Sequence, residues 1–324
     1  MNATPIKRVA LMAALGMALA GPTACGGDDA TKQTTEAAAR RADPATDKLA
    51  QVQARGTLVG YHEADYPPQS MDVKGEVRAA DTKCAETQLT ANQVTGFDSE
   101  TTKLVAEGLG VEACFATPTW TEVTSGNWGD RWDIAYGSGS INADRMQRLY
   151  MTQPYYAVPN YYFVAVDSPA RHAADLDGKR IGACASCSHE MYLNGELQIP
   201  GIDIEVNVDD PKLVTFETER PGLKATAKGK IDAFLAAEPV GRARIREGVA
   251  LRRLPEVAFT YYPSGFVDKS SGLDSKAFVA KVNEIVRRAQ ADATLERLSR
   301  NFFGRDYIAA AVKYDIDAID QDVE

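Results

Sequence analysis

The chain has 324 residues, a formal net charge of −9 at pH 7 and a hydrophobic fraction of 44%. The acidic balance argues against a nucleic-acid partner, because proteins that bind the phosphate backbone present basic surfaces. The length allows two domains of ordinary size, each with a sizeable core.

The first 24 residues are predicted to be an export signal. Lys7 and Arg8 supply the positive start, an apolar run follows at 9–20, and small residues come next. The run is too short to span a membrane, so we expect this segment to be removed from an exported protein.

Cys25 follows the signal in a sequence that resembles a bacterial lipoprotein signal, in which the cysteine is lipidated and becomes the new N terminus. Pro22 stands where an aliphatic residue is usual, so ordinary cleavage after Ala20 or Ala24 is the alternative. Residues 25–48 have no apolar periodicity and are predicted to be a flexible tether.

Four further cysteines fit an oxidising compartment. Cys84 precedes a strand-like run that contains Cys114, and this pair is our first choice for a disulfide. Cys184 and Cys187 form a Cys-x-x-Cys motif that could be a local disulfide, a redox pair or half of a metal site with His189. We favour the local disulfide and predict no metal, since the stretch supplies too few ligands.

Strands and helices are predicted to alternate twice, which indicates an α/β fold. In the first unit, a strand at 55–61 leads to a helix with Asp98 as N-cap and Gly110 as its end, and a second strand follows at 111–116. The strands predicted in the second unit are 161–166, 180–185, 202–206 and 231–236, with a helix broken by Pro221 between the last two. Two amphipathic helices, 278–289 and 295–303, close the pattern.

The stretch 133–156 is predicted to bind an anion. A strand with Ile134 and Tyr136 runs into the loop Gly-Ser-Gly-Ser at 137–140, and a helix carrying Arg145 follows. Glycines allow a close backbone approach, serine hydroxyls can donate, and the start of a helix exposes unpaired N–H groups. A guanidinium nearby can bind a carboxylate through two parallel hydrogen bonds.

Nine landmarks follow one another between about residue 56 and residue 304: GTLVGY at 56–61, YPP at 66–68, GFD at 96–98, Trp120, the run 133–145, QPYY at 153–156, DLDGKRIG at 175–182, GKIDA at 229–233 and the ending 294–304. In these landmarks the chain resembles the family 3 extracellular solute-binding proteins that supply amino acids to ABC importers. No single landmark is specific, but their shared order and spacing are.

This resemblance implies a type II periplasmic-binding-protein fold, with two α/β lobes that are joined by a two-strand hinge and close on a ligand. The expected division places lobe 1 at 49–156, lobe 2 at 157–263, and the return to lobe 1 with the C-terminal tail at 264–324.

The resemblance also implies roles for individual residues. Arg145 matches the arginine that holds the α-carboxylate of the ligand, with Ser138 and Ser140 on the loop beside it. Ser188, in lobe 2, matches a residue that closes on the same carboxylate from the other side. Tyr66 and Trp120 match the aromatic walls of the ligand site.

The amine end of the site departs from the family pattern. An aspartate that usually pairs with the α-ammonium is replaced by Ala237, and the neighbouring Glu238 could serve only if the loop bulges, because a one-residue slip reverses the side chain. Glu63 lies where binders of basic amino acids carry an acid. A ligand without an α-amino group is the other interpretation.

We therefore expect a non-catalytic, monomeric and exported binding protein without a cofactor. It would be anchored to a bacterial membrane by lipid at Cys25, in the periplasm or on the outer surface, and would deliver a small polar carboxylate to a permease. The alternative is an enzyme on the same fold, similar to the cyclohexadienyl dehydratases, with Glu238 or Glu63 as general acid. A receptor sensor domain is disfavoured because the sequence has no transmembrane helix or signalling domain after Gly304.

Overall fold

The computed structural model describes residues 42–322. The predicted export signal, Cys25 and most of the predicted tether lie outside these residues. The end of the tether needs a correction, because Lys48 already belongs to the fold. Its Nζ atom lies 2.7 Å from the carboxylate of Asp133, and both side chains are buried. No helix in the described part is both long enough and apolar enough to cross a membrane.

Helices form where they were predicted near residues 98–110, 278–289 and 295–303, whereas the helix at 48–55 was not predicted. The helices are α1 (Lys48–Arg55), α2 (Phe97–Leu109), α3 (Trp120–Ser125), α4 (Ala143–Met146), α5 (Ser188–Leu193), α6 (Glu219–Ala227), α7 (Glu238–Arg246), α8 (Lys276–Ala291) and α9 (Thr294–Phe303).

Within residues 42–322, the strands form four sheets. They are β1 (Thr57–Tyr61), β2 (Asp65–Tyr66), β3 (Ser70–Asp72), β4 (Leu89–Thr90), β5 (Val94–Thr95), β6 (Glu112–Ala116), β7 (Leu149–Met151), β8 (Val158–Ala165), β9 (Arg180–Cys184), β10 (Lys212–Phe216), β11 (Ala233–Ala237), β12 (Leu251–Tyr261) and β13 (Phe266–Asp268).

Lobe 2 is built on a five-stranded sheet that uses only strands between residues 158 and 261, in the order β10-β9-β11-β8-β12. Strands β10, β9 and β11 are parallel, and β8 runs antiparallel between β11 and β12. Lobe 1 carries the remaining sheets, and the C-terminal helices α8 and α9 pack on α2 of this lobe. The two-lobe α/β fold is therefore present, and the exact lobe boundaries stay a prediction.

The first βαβ unit forms as predicted, apart from its N-cap. Strands β1 and β6 are parallel neighbours joined through α2, and Gly110 ends this helix with a left-handed φ of 73°. The N-cap is Gly96, not Asp98, so the prediction for Asp98 is wrong. Asp98 is instead the second residue of the helix, where its buried carboxylate accepts hydrogen bonds from other side chains.

Three other predictions of local structure are wrong. The apolar residues at 202–206 are half-buried, but this segment is no strand, because its backbone bonds the hydroxyl of Tyr192 rather than a neighbouring strand. The edge strand of the five-stranded sheet is β10 instead.

The strand predicted at 133–136 does not form either, because these residues make only isolated bridges to β1 and β13. Pro221 does not break α6 because it lies in the first turn, where its missing N–H has no intrahelical partner.

Candidate functional site

The carboxyl ends of strands from both lobes meet at one cleft. In lobe 1, the last residues of β1 and β6 are register partners, and in lobe 2, Phe216 at the end of β10 is opposite Cys184 at the end of β9. Loops that follow these strands therefore face each other, as expected for ligand sites in α/β folds. Residues of both lobes line the cleft, which encloses a cavity of about 60 Å³.

The structure brings seven of the eight predicted ligand-binding residues to this cleft. They are Glu63, Tyr66, Trp120, Ser138, Ser140, Arg145 and Ser188. Their placement makes ligand contact possible, and their roles in binding stay predictions.

Arg145 lies where the lobes touch and is 2% exposed. Its Nη1 atom donates to the carbonyl oxygen of Ser140 (2.9 Å) in lobe 1 and to the hydroxyl of Ser188 (3.4 Å) in lobe 2. Its Nη2 atom donates to the carbonyl oxygen of Ser186 at 3.0 Å. These partners are all neutral, and burial lowers the pKa of the guanidinium to about 10. A buried cation without a counter-charge favours an incoming anion.

The anion cradle is only partly as predicted, because the hydroxyls and the helix start are used within the protein. The hydroxyl of Ser140 accepts a hydrogen bond from the Tyr262 amide at 3.1 Å. In the first turn of α4, the Ala143 amide donates to Gln198 and the Arg145 amide donates to Asn142. The guanidinium of Arg145 is therefore the group of this stretch to which the predicted anion-binding role still applies.

Ser138 belongs to a buried network that shapes the loop. Its hydroxyl donates to Asp98 at 2.7 Å and accepts from Tyr156 at 2.6 Å, while its amide donates to the hydroxyl of Tyr155 at 3.0 Å. The Tyr155 hydroxyl in turn donates to Asp98 at 2.6 Å. This network holds Ser138 at a φ of 55°, which few residues other than glycine adopt. The predicted hydroxyl donor is therefore already engaged with Asp98.

Aromatic side chains form the wall beside Arg145. The Trp120 ring centroid lies 5.4 Å from the guanidinium carbon, and the ring of Phe266 lies 5.5 Å from it. The indole N–H of Trp120 is buried and has no hydrogen-bond partner among the described residues. Since buried donors are normally paired, this N–H is available to a ligand oxygen.

Of the two acids predicted to bind the ligand, Glu63 lies in the cleft and Glu238 does not. Glu63 lines the cleft, accepts a hydrogen bond from the hydroxyl of Tyr61 at 3.1 Å, and has a pKa raised by burial. Glu238 does not reach the cleft, so its assignment as the amine-binding acid is wrong. The loop does not bulge, and Glu238 begins α7, where its carboxylate accepts from Tyr307 at 2.9 Å and pairs with Arg305 at 3.2 Å.

Sequence reasoning missed Glu219, the first residue of α6. It lines the cleft with only 4% of its surface exposed, and neither carboxylate oxygen has a hydrogen-bond partner among the described residues. Burial raises the pKa of this carboxyl to about 8. The hydroxyl of Tyr66 and the amide of Ala237 lie close enough to lower the pKa in part, although neither meets hydrogen-bond geometry. Glu219 follows the carboxyl end of β10, which is a common position for ligand-binding residues. It was missed because the strand was predicted at 202–206 instead.

Both predicted disulfides are present, Cys84–Cys114 and Cys184–Cys187. The second lines the cleft next to His189, and one ligand atom from each of its cysteines and from the histidine lies within 4.8 Å of the others. Metal ions bind the thiolate, so the oxidised pair does not present a metal site.

Comparison with known proteins agrees with this geometry. The chain is 26% identical over 260 residues to the L-cystine-binding protein TcyJ of Escherichia coli, covering 80% of this chain and 86% of that protein. The L-arginine-bound substrate-binding protein AbpA of an amino acid ABC transporter of Streptococcus pneumoniae has a TM-score of 0.61 at 21% identity, over 82% of this chain and 99% of its own.

An ancestral amino-acid-binding protein, described as a precursor of cyclohexadienyl dehydratase, has a similar fold, with a TM-score of 0.60 at 21% identity over 79% of this chain and 99% of its own. The family of bacterial extracellular solute-binding proteins, family 3, matches residues 79–305, which are more than half of the chain. The protein therefore belongs to the bacterial extracellular solute-binding proteins of family 3.

Proposed function

We propose that this protein is the substrate-binding component of an ABC importer and that it captures a small polar carboxylate, an amino acid or a related compound. The single observation that carries the proposal is Arg145. Its buried guanidinium touches both lobes and has only neutral partners, so a ligand carboxylate there would supply the missing charge and stabilise lobe contact.

The binding mechanism is closure of the lobes around the ligand. Loops from lobe 1 supply Arg145 and the wall residue Trp120, and lobe 2 supplies Ser188. A ligand that contacts both lobes binds the closed arrangement better than the open one, and this difference in affinity shifts the population. No bond is made or broken.

Calorimetry of the purified protein with amino acids, L-cystine and other small carboxylates tests the proposal. We expect at least one to bind, and Arg145→Ala to weaken it by about 30-fold or more, because loss of a buried charged partner costs at least about 2 kcal/mol. Arg148→Ala is the matched control, since Arg148 is half-buried, does not line the cleft and pairs with Asp144. Unchanged affinity in Arg145→Ala, or no binding by any carboxylate, would contradict the proposal.

We also propose export, lipidation at Cys25, delivery to a membrane permease and a monomeric state. The support is the signal-like sequence at 1–25 and the importer context of the relatives. Mass spectrometry of the mature N terminus tests the anchor. A lipidated Cys25 supports it, whereas an unmodified terminus after Ala20 or Ala24 contradicts it.

The enzyme alternative loses one of its two candidate acids, because Glu238 lies outside the cleft. Glu63 remains in the cleft. Incubation of the protein with prephenate or arogenate tests the alternative directly, and formation of the dehydrated, decarboxylated product would favour catalysis over binding alone.

A further inference from the structure

We propose that Glu219 and His189 form a cation-binding subsite in the cleft, and that this subsite makes the protein select ligands that carry an ammonium group together with a carboxylate. The inference rests on the proposed function and narrows its ligand class from carboxylates in general to zwitterions.

Glu219 supplies the negative charge of the subsite. Its carboxylate is buried in the cleft wall, and neither oxygen has a donor in hydrogen-bond geometry among the described residues, although the hydroxyl of Tyr66 and the amide of Ala237 lie nearby. Buried carboxylates in folded proteins are normally paired or hydrogen-bonded, because an unpartnered one is costly. An internal structural role would satisfy these oxygens within the protein. Their lack of partners points instead to a donor that arrives with a ligand.

His189 adds a second acceptor. Its Nε2 atom lies 2.7 Å from Oδ1 of Asn160, and the amide nitrogen of Asn160 donates to the carbonyl oxygens of Val158 and Phe259. The Asn160 oxygen is therefore the acceptor, so Nε2 of the neutral histidine carries the hydrogen and Nδ1 is left with its lone pair. Burial, with the positive charge of Arg145 as a smaller cause, lowers the pKa of His189 to about 3, which keeps the ring neutral.

The two acceptors face each other. Nδ1 of His189 lies 3.8 Å from Oε1 of Glu219, and its other close neighbour is the sulfur of Cys184 at 3.6 Å, which is in a disulfide and has no hydrogen to donate. A primary ammonium group carries three N–H donors and a positive charge, so it can serve both acceptors at once.

The surroundings leave the charge of Glu219 uncompensated. The other groups that influence this carboxyl or face it are Tyr66, Tyr261, Glu63 and Arg244. The only cation among them is Arg244, which is the weakest influence and already pairs with Glu247 at 2.9 Å. Glu63 adds negative charge. Arg145 thus gives the cleft a positive group, and Glu219 gives it a carboxyl that becomes the negative group when an ammonium group binds, which matches a zwitterion.

Binding should release a proton. With its pKa raised to about 8, Glu219 holds a proton in the empty cleft near pH 7. An arriving ammonium group favours the carboxylate, so that proton passes to the buffer. Calorimetry in two buffers with different ionisation enthalpies, such as phosphate and Tris, counts the protons released.

The test compares each amino acid with the same acid lacking its α-amino group. The probes are L-arginine with 5-guanidinopentanoate, L-cystine with 3,3′-dithiodipropionate, and the analogous pair for any other amino acid that binds. Three variants are measured beside the wild type. Glu219→Gln removes the charge at constant size, Glu219→Asp keeps the charge, and Glu205→Gln is the control, since Glu205 is an exposed residue of the same lobe that does not line the cleft. Thermal unfolding confirms that each variant folds.

We expect an amino acid to bind the wild type at least about 30-fold more tightly than its analogue without the amine, with close to one proton released. In Glu219→Gln this preference and the proton release should both disappear, Glu219→Asp should keep part of each, and Glu205→Gln should behave as the wild type. Equal affinity for both members of a pair, or an undiminished preference in Glu219→Gln, would overturn the subsite while carboxylate binding at Arg145 stands. Failure of every acid to bind would contradict the proposed function, and the subsite with it.

Discussion

Replacement of Asp98 by asparagine should change how the stability of the protein depends on pH. Asp98 is 1% exposed, and burial raises its pKa from 3.8 to about 7, although hydrogen bonds from Tyr155 and Ser138 oppose the rise. In the unfolded chain the carboxyl ionises near its ordinary pKa. Between these two values the folded state holds a proton that the unfolded state has lost, so stability falls as the pH rises.

The magnitude follows from the two pKa values. The difference between 7 and 3.8 corresponds to about 4 kcal/mol in total, of which about 3 kcal/mol falls between pH 5 and pH 8. Below pH 3.8 the contribution of the neutral carboxyl is fully present, and it is lost as the pH rises through about 7. The amide of the Asp98→Asn variant does not titrate, so the variant should lack this part of the slope.

Urea unfolding of both proteins at several pH values measures the effect. At pH 5 we expect the variant to be less stable by about 1–3 kcal/mol, because the amide nitrogen cannot accept a hydrogen bond from the Ser138 or Tyr155 hydroxyl, whereas both oxygens of the neutral acid can. By pH 8 this deficit should shrink by about 3 kcal/mol and can reverse. Asp130→Asn, on an exposed loop, is the control. A stability difference that stays constant within about 0.5 kcal/mol across this range would refute the assigned state of Asp98.

Two further predictions concern the wall and the disulfides. An added Cβ at Gly139 would lie 2.3 Å from the Phe266 ring and 2.6 Å from the Trp120 ring. Gly139→Ala should therefore lower the free energy of unfolding by about 1–3 kcal/mol, measured by thermal unfolding, and weaken ligand binding. Unchanged stability and affinity would contradict this prediction and show that the two rings can shift freely. Loss of Cys84–Cys114, which joins residues 30 apart, should cost about 3–4 kcal/mol in urea unfolding, and loss of Cys184–Cys187, which joins residues 3 apart, about 2 kcal/mol. An equal cost for both would contradict the loop-closure argument.

The parts of the fold that sequence predicted correctly are those with strong local signals. The amphipathic pattern of α8 and the glycine at the end of α2 fix helices through local chemistry. The prediction of a strand at 202–206 was wrong because alternating apolar residues indicate which side chains face the core, but not which groups form hydrogen bonds with the backbone. There, the hydroxyl of Tyr192 takes the place of a partner strand.

The same limit explains the site. Arg145 and Trp120 could be placed in the cleft because they follow predicted strands and match a family pattern. Glu219 could not, since its position depends on the register of β10 with β9, which only the folded sheet defines. Ser138 was predicted as a ligand donor because it lies on the Gly-Ser loop and matches a family position. Its hydroxyl instead donates to Asp98 at 2.7 Å, and nothing local indicates this bond, because Asp98 is 40 residues away in sequence.

The most direct measurement is a crystal structure of the protein with a bound carboxylate from the binding panel. We predict closed lobes and a ligand carboxylate at about 2.7–2.9 Å from the guanidinium nitrogens of Arg145, with any ligand amine on Glu219. A ligand that binds elsewhere, or that lies in the cleft with its carboxylate away from Arg145, would contradict the account.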